Sequence, residues 1–148
     1  MALGRLGLAL PPAPRPVGSY APIAVAGTLA FVAGQIVTRD GRAMDPGLVD
    51  RDVSVVRATE LARLATLQAL AALDAEPGRL DRIERAVHAR VYVATSPGFD
   101  RVHEVAGGVT DLLTSIFGET RRPARATVGV AALPLNAPVE VELVFALR

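Results

Sequence analysis

Between Val55 and Leu73 the chain reads VVRATELARLATLQALAAL, with apolar residues at 58, 61, 62, 65, 69 and 72 on one face of a helix. Further leucines spread around that face, so cover is expected on more than one side. Asp50 or Ser54 can cap the start, and the Glu76-Pro77-Gly78 triplet is a stop. Ahead of this helix, YAPIAVAGTLAFVAGQIV gives two strands around a tight turn at Gly27-Thr28, while residues 37–50 carry Gly, Pro and Asp and read as loop. After it, residues 85–94 alternate: Val87, Ala89, Val91 and Val93 point one way, His88, Arg90 and Tyr92 the other.

A second helix is predicted from Ser96, with Pro97 at its first turn. Phe99, Val102, Val105, Val109, Leu112, Leu113 and Ile116 follow at steps of mostly three and four residues, and Gly118 ends the pattern. Gly107-Gly108 inside it implies a close backbone approach or a kink. Two strands at about 125–132 and 139–147, joined by a turn through LPLNAP, finish the chain. The order predicts an α+β fold, one mixed sheet with two helices on one face, in a single domain over 1–148 with residues 1–19 as an extended lead-in. Both alternating faces of TVGVAAL are apolar or small, yet two helices cover only one face of a sheet. A partner chain is the expected cover for the other.

Composition narrows the chemistry. The 148 residues are 51% hydrophobic but only 4% aromatic, so the core is mostly Ala, Val and Leu and lacks the stacking platforms of a single-strand nucleic-acid binder. A net charge of +1 argues against broad phosphate neutralisation. Without cysteine there is no disulfide, thiolate metal site or cysteine nucleophile. His88 and His103 lack metal-ligand spacing, so no metal is expected, and both read as ordinary strand and helix-surface residues. The opening MALGRLGLAL is broken by arginine and followed by PPAPRP, too short an apolar run for a secretory core. No stretch reaches membrane-spanning length, and a soluble cytoplasmic protein is expected.

The segment RRPARATVGVAALP sets three arginines at the start of a run that otherwise reads as buried strand. A buried guanidinium at Arg125 without a partner costs several kcal/mol. It needs an internal carboxylate, a route to water, or an acidic ligand. Glu140 and Glu142 share one face of the last strand and could supply that carboxylate, although such alternation more often marks a solvated face. If the last two strands form a tight hairpin, Arg125 lies at the far end from Glu140. Arg121 and Arg122 read as solvated residues able to steer anions.

GSYAPIAVAGTLAFVAGQI, PARATVGVAALP and VEVEL stand in the order and approximate spacing of the reactive-intermediate deaminase family, RidA or YjgF, which the chain resembles over nearly its whole length. With LGLALPPAPRP at the start and GGVTDLLTSIFGE before the arginine motif, it looks like a longer-chain branch. The resemblance implies a chorismate-mutase-like fold, a homotrimer with pockets between subunits, and cofactor-free hydrolysis of enamines and imines such as 2-aminoacrylate to 2-keto acids and ammonia. It also implies that Arg125 grips the substrate carboxylate, a contact for which a planar guanidinium is suited. Glu140 would handle the attacking water. Tyr20 would line the pocket, and Gly34 and Thr127 would lend backbone groups.

Two positions depart from the family pattern. Ala33 stands where serine often precedes Gly-Gln, and Gly107 where many members carry asparagine. Each loss removes a pocket hydrogen bond of about 0.5–1.5 kcal/mol. The pocket should therefore favour a bulkier or more apolar acid, or catalyse weakly. The alternative to an imine hydrolase is a non-catalytic carboxylate-binding or regulatory trimer. RNA cleavage, also reported in the family, fits poorly with the low charge and few aromatics.

Overall fold

Nine alternating residues, Val139–Leu147, form the central strand of the sheet. Val141, Leu143 and Phe145 point to one side and are fully buried, while Glu140, Glu142, Val144 and Ala146 face the other. The computed structural model describes residues 3–16, 18–75 and 79–148. In chain order these form β1 (Ile23–Ala26), β2 (Leu29–Gln35), β3 (Thr38–Arg39), β4 (Arg42–Ala43), α1 (Val55–Asp74), β5 (Ile83–Ala94), α2 (Val102–Phe117), β6 (Ala124–Val130) and β7 (Val139–Leu147). The sheet runs β1-β2-β7-β5-β6, antiparallel throughout except for β5 and β6, which lie parallel.

Both helices cover the face carrying Leu143 and Phe145. The predicted stripe of α1 (Ala58, Leu61, Ala62, Ala65, Ala69, Ala72) is buried throughout, and Leu67, Leu70 and Leu73 extend it. Ser54, one of the two candidate caps, accepts a hydrogen bond from the Arg57 N–H at 3.1 Å. The expected stop at 76–78 lies outside the described residues. The expected close approach falls on Gly108: a β-carbon there would sit 2.1 Å from the Thr59 carbonyl oxygen of α1. Gly107 faces away from that contact, with only Asp111 Oδ2 nearby, at 3.7 Å.

The structure corrects three expectations. α2 begins at Val102 rather than Ser96, because Ser96 instead accepts the Phe99 N–H in a turn that passes through Gly98 at φ 88°, outside helical space. The predicted loop at 37–50 contains the small ribbon of β3 and β4. The last two strands are not a hairpin. β6 pairs with β5, reached by the helical crossover through α2 that parallel pairing needs, and β7 inserts between β2 and β5. Within the chain β6 is an edge strand, mostly exposed, with Val128 at 47% exposure, and the helices leave its other face open, the face for which a partner chain was the expected cover. Phe31 and Val128 are apolar side chains left open on the helix-free face.

Candidate functional site

The pairing of β2 with β7 slips between Val32, opposite Leu143, and Gln35, opposite Val141. The extra residue makes a bulge at Ala33-Gly34, of the kind that re-aims a strand at the rim of a site. Gln35 closes it by donating from Nε2 to the Ala33 carbonyl at 2.9 Å. The Glu140 carboxylate lies directly against the Gly34 backbone: a β-carbon on residue 34 would fall 1.9 Å from Glu140 Oε1. Only glycine admits the carboxylate there. Gly34→Ala should therefore displace the mobile end of the Glu140 side chain at little cost to stability, which melting beside the wild type checks.

Glu140 borders a cavity of 710 Å³ shared with Tyr20, Ala33 and Gly34. Among the described residues it has no hydrogen-bond or ion-pair partner. Burial raises its pKa above the usual carboxylate value, and the nearby Glu142 charge adds to that shift. The polar groups of the helix-free face go to Glu142 instead. Arg90 Nη1 and the Tyr92 hydroxyl both donate to it, each at 3.1 Å. Glu140 is thus a half-buried, unneutralised base beside open space.

The other three candidate residues sit elsewhere. Arg125 and Thr127 pair with Ala89 and Val91, so they lie on the helix side of the β6 edge. Arg125 Nη1 donates to Thr110 Oγ1 of α2 at 3.1 Å, one turn along from Gly107. Thr127 Oγ1 is buried without a partner. The guanidinium is exposed and, among the described residues, bonded to no carboxylate, which answers one of the alternatives open from sequence. Arg125 and Glu140 are on opposite faces with β5 between their strands, so the chain brings four candidates together at the cavity and three at the β6 edge.

Several cavity residues escaped sequence reasoning. Gln35 and Gln68 line it, and Gln68 Oε1 is buried without a partner. The polar interruption in TLQAL was the available clue. Prolines 11, 12, 14 and 16 of the lead-in form one wall, and Pro134 and Leu135 another part. His103 is exposed on α2 and His88 half-buried on β5. Arg121 donates to the Glu84 carbonyl, and Arg122 pairs with Glu119. Among the described residues no three His, Asp or Glu side chains form a metal-holding group, and no helix is long and apolar enough to cross a membrane.

A family model described as endoribonuclease L-PSP matches residues 11–147. Protein TCP17 of Trypanosoma cruzi is 38% identical over 141 residues, 95% of this chain and 88% of that protein. The crystal structure of Atu1372 from Agrobacterium tumefaciens, of unknown function, is similar with a TM-score of 0.85 and 36% identity, covering 99% of this chain and 91% of the other. The YjgF gene product of E. coli shares the fold, with a TM-score of 0.64 and 20% identity over 92% of this chain and 94% of that one.

Proposed function

Because the chain belongs to the Ribonuc_L-PSP family, the RidA/YjgF proteins, we propose that it hydrolyses small carboxylate-bearing imines and enamines to 2-keto acids and ammonia. The observation that carries this reading is Glu140, an unpaired carboxylate raised in pKa and held against Gly34 at an open cavity. A general base is most effective with its pKa moved toward the working pH. Arg125 supplies the carboxylate receptor. Since it lies on the far face of its own chain, the complete site joins the cavity of one copy to the β6 edge of the next, in a homotrimer.

The steps balance without a cofactor. Glu140 takes a proton from water as the oxygen adds to the carbon of the protonated imine (C=NH2+), giving a neutral carbinolamine. It then returns that proton to the nitrogen, and as the C–N bond breaks to release ammonia the carbinolamine hydroxyl gives its proton to Glu140 and becomes the carbonyl of the keto acid. An enamine first accepts a proton at carbon to become the imine. Arg125, bidentate on the carboxylate, fixes the reacting carbon over Glu140.

The test is ammonia release from an imino acid generated in situ by an amino-acid oxidase. The wild type should exceed the spontaneous rate, and Arg125→Ala should lose about 10²–10⁴-fold in kcat/KM, the worth of two charge-assisted hydrogen bonds. A wild-type rate equal to the spontaneous one across several imino acids would sink the hydrolase reading. Ala33 and Gly107, which carry neither hydroxyl nor amide, favour the second reading, a binding trimer without turnover. Thermal stabilisation by 2-keto acids with no ammonia release would support it.

A further inference from the structure

Leu135 has φ 58° and ψ 19°, in the left-handed region that glycine or asparagine adopts far more readily than leucine. The neighbouring Asn136 is also left-handed. The turn is not a loose one. The Asn136 N–H donates to the Leu133 carbonyl and the Ala137 N–H to the Pro134 carbonyl, both at 3.1 Å, while the Asn136 carbonyl accepts from the Gly47 N–H at 2.9 Å. The backbone strain thus holds one side chain in place. That side chain is a leucine, 49% exposed, bordering the cavity of Glu140. An apolar residue kept in both an unfavourable conformation and an unfavourable solvent environment points to a ligand contact.

The wall formed by the lead-in has matching chemistry. Pro11, Pro12, Pro14 and Pro16 offer no N–H donors, present apolar rings, and lose little conformational freedom when a ligand orders them. Arg15, among them, also borders the cavity and is exposed. A ligand with a second carboxylate is therefore the competing prospect.

We propose that Leu135 is a specificity-determining residue, its side chain held by the strained turn so that, with the proline wall, it selects imino acids bearing a branched or aromatic apolar side chain over the three-carbon class. This rests on the hydrolase reading of the same cavity, which Glu140 and Arg125 carry independently of Leu135.

The experiment compares imines made from alanine, leucine and glutamate in the wild type, Leu135→Gly and Leu135→Asn. Both replacements suit the left-handed backbone, so both variants should melt at or above the wild-type temperature. In the wild type the leucine-derived imine should be favoured about tenfold in kcat/KM over the alanine-derived one, the discrimination an apolar pocket gives. That ratio should collapse toward one in both variants. A wild-type ratio near one, a ratio unmoved in both variants, or a preference for the glutamate-derived imine overturns the role of Leu135 while leaving the hydrolase intact. If no imine is hydrolysed, the hydrolase reading fails by itself. Melting-temperature titrations with pyruvate, 4-methyl-2-oxopentanoate and 2-oxoglutarate then decide on Leu135. Preferential stabilisation by the branched acid, lost in both variants, upholds the selection, and any other order overturns it.

Discussion

Replacing Glu140 by glutamine is expected to slow imine hydrolysis by about 10²–10⁴-fold, the usual loss when a general base is removed, while the protein stays folded. Glutamine keeps the size of the side chain that lies against Gly34, so the β2 bulge has no reason to move. Stability should shift slightly upward at neutral pH. In the folded state burial holds the Glu140 pKa above its unfolded value, so between those two values the folded chain binds more protons than the unfolded chain. Ionisation of Glu140 therefore destabilises the fold as pH rises through that window, and the full penalty persists above it. The amide has no charge to bury. Activity has the opposite sign, because the reaction needs the ionised form. The wild-type rate should rise with pH through a limb placed above the ordinary carboxylate range, and that limb should vanish in Glu140→Gln. Melting curves and kcat/KM profiles across acidic and neutral pH measure both. A variant that retains wild-type turnover would remove Glu140 from the chemistry.

Gly108→Ala is expected to have the largest effect on stability. Its new methyl group would lie 2.1 Å from the Thr59 carbonyl oxygen, a backbone atom that no rotamer change can move away. The helices must separate, and the loss should reach or exceed the upper end of the roughly 1–3 kcal/mol typical of overpacking. For a chain of this size that corresponds to a fall in melting temperature of about 6–12 °C. Gly107→Ala, one residue earlier, is the control. Its β-carbon meets nothing closer than Asp111 Oδ2 at 3.7 Å, so the better helix propensity of alanine should stabilise by up to about 1 kcal/mol. Calorimetry on the two variants should give opposite signs. Equal shifts would mean that α1 and α2 do not touch at residue 108.

These two glycines also illustrate what local pattern carries. A GG pair inside an apolar helix forecasts close contact, but which glycine makes it depends on the azimuth of the second helix, a tertiary fact. The two helices, the Gly27-Thr28 turn, the inward residues of β7 and those of β5 from Ala89 on were legible because periodicity reports burial directly, whereas the register slip between Ala86 and His88 leaves Val87 half-buried and buries Ala86. Pairing was not. Nothing in 124–130 or 139–147 says that the first lies beside β5 in parallel while the second threads between β2 and β5, since alternation reports faces and not neighbours. The start of α2 was misplaced because Ser96-Pro97 is as good a turn opening as a helix opening, and Gly98 decided for the turn. The motif resemblance singled out Tyr20, Ala33, Gly34 and Glu140, and the structure gathers these four at one cavity. Leu135 and Gln68 could not be found that way. Their contributions come from a backbone angle and from the tertiary surroundings of one amide oxygen.

The exposed position of β6 gives Arg125 a second consequence. Ala124–Val130 ends the sheet, with no strand paired to its outer side among the described residues, contains no proline, and has Arg125 as its single charge. Bare apolar edges of this kind recruit strands from other molecules, and a charge placed on one is a common safeguard against aggregation. On a newly made chain that guanidinium is expected to work as a gatekeeper. Neutralising it should lower the soluble yield at high expression temperature as well as the turnover, and a lysine in its place should restore the first and not the second.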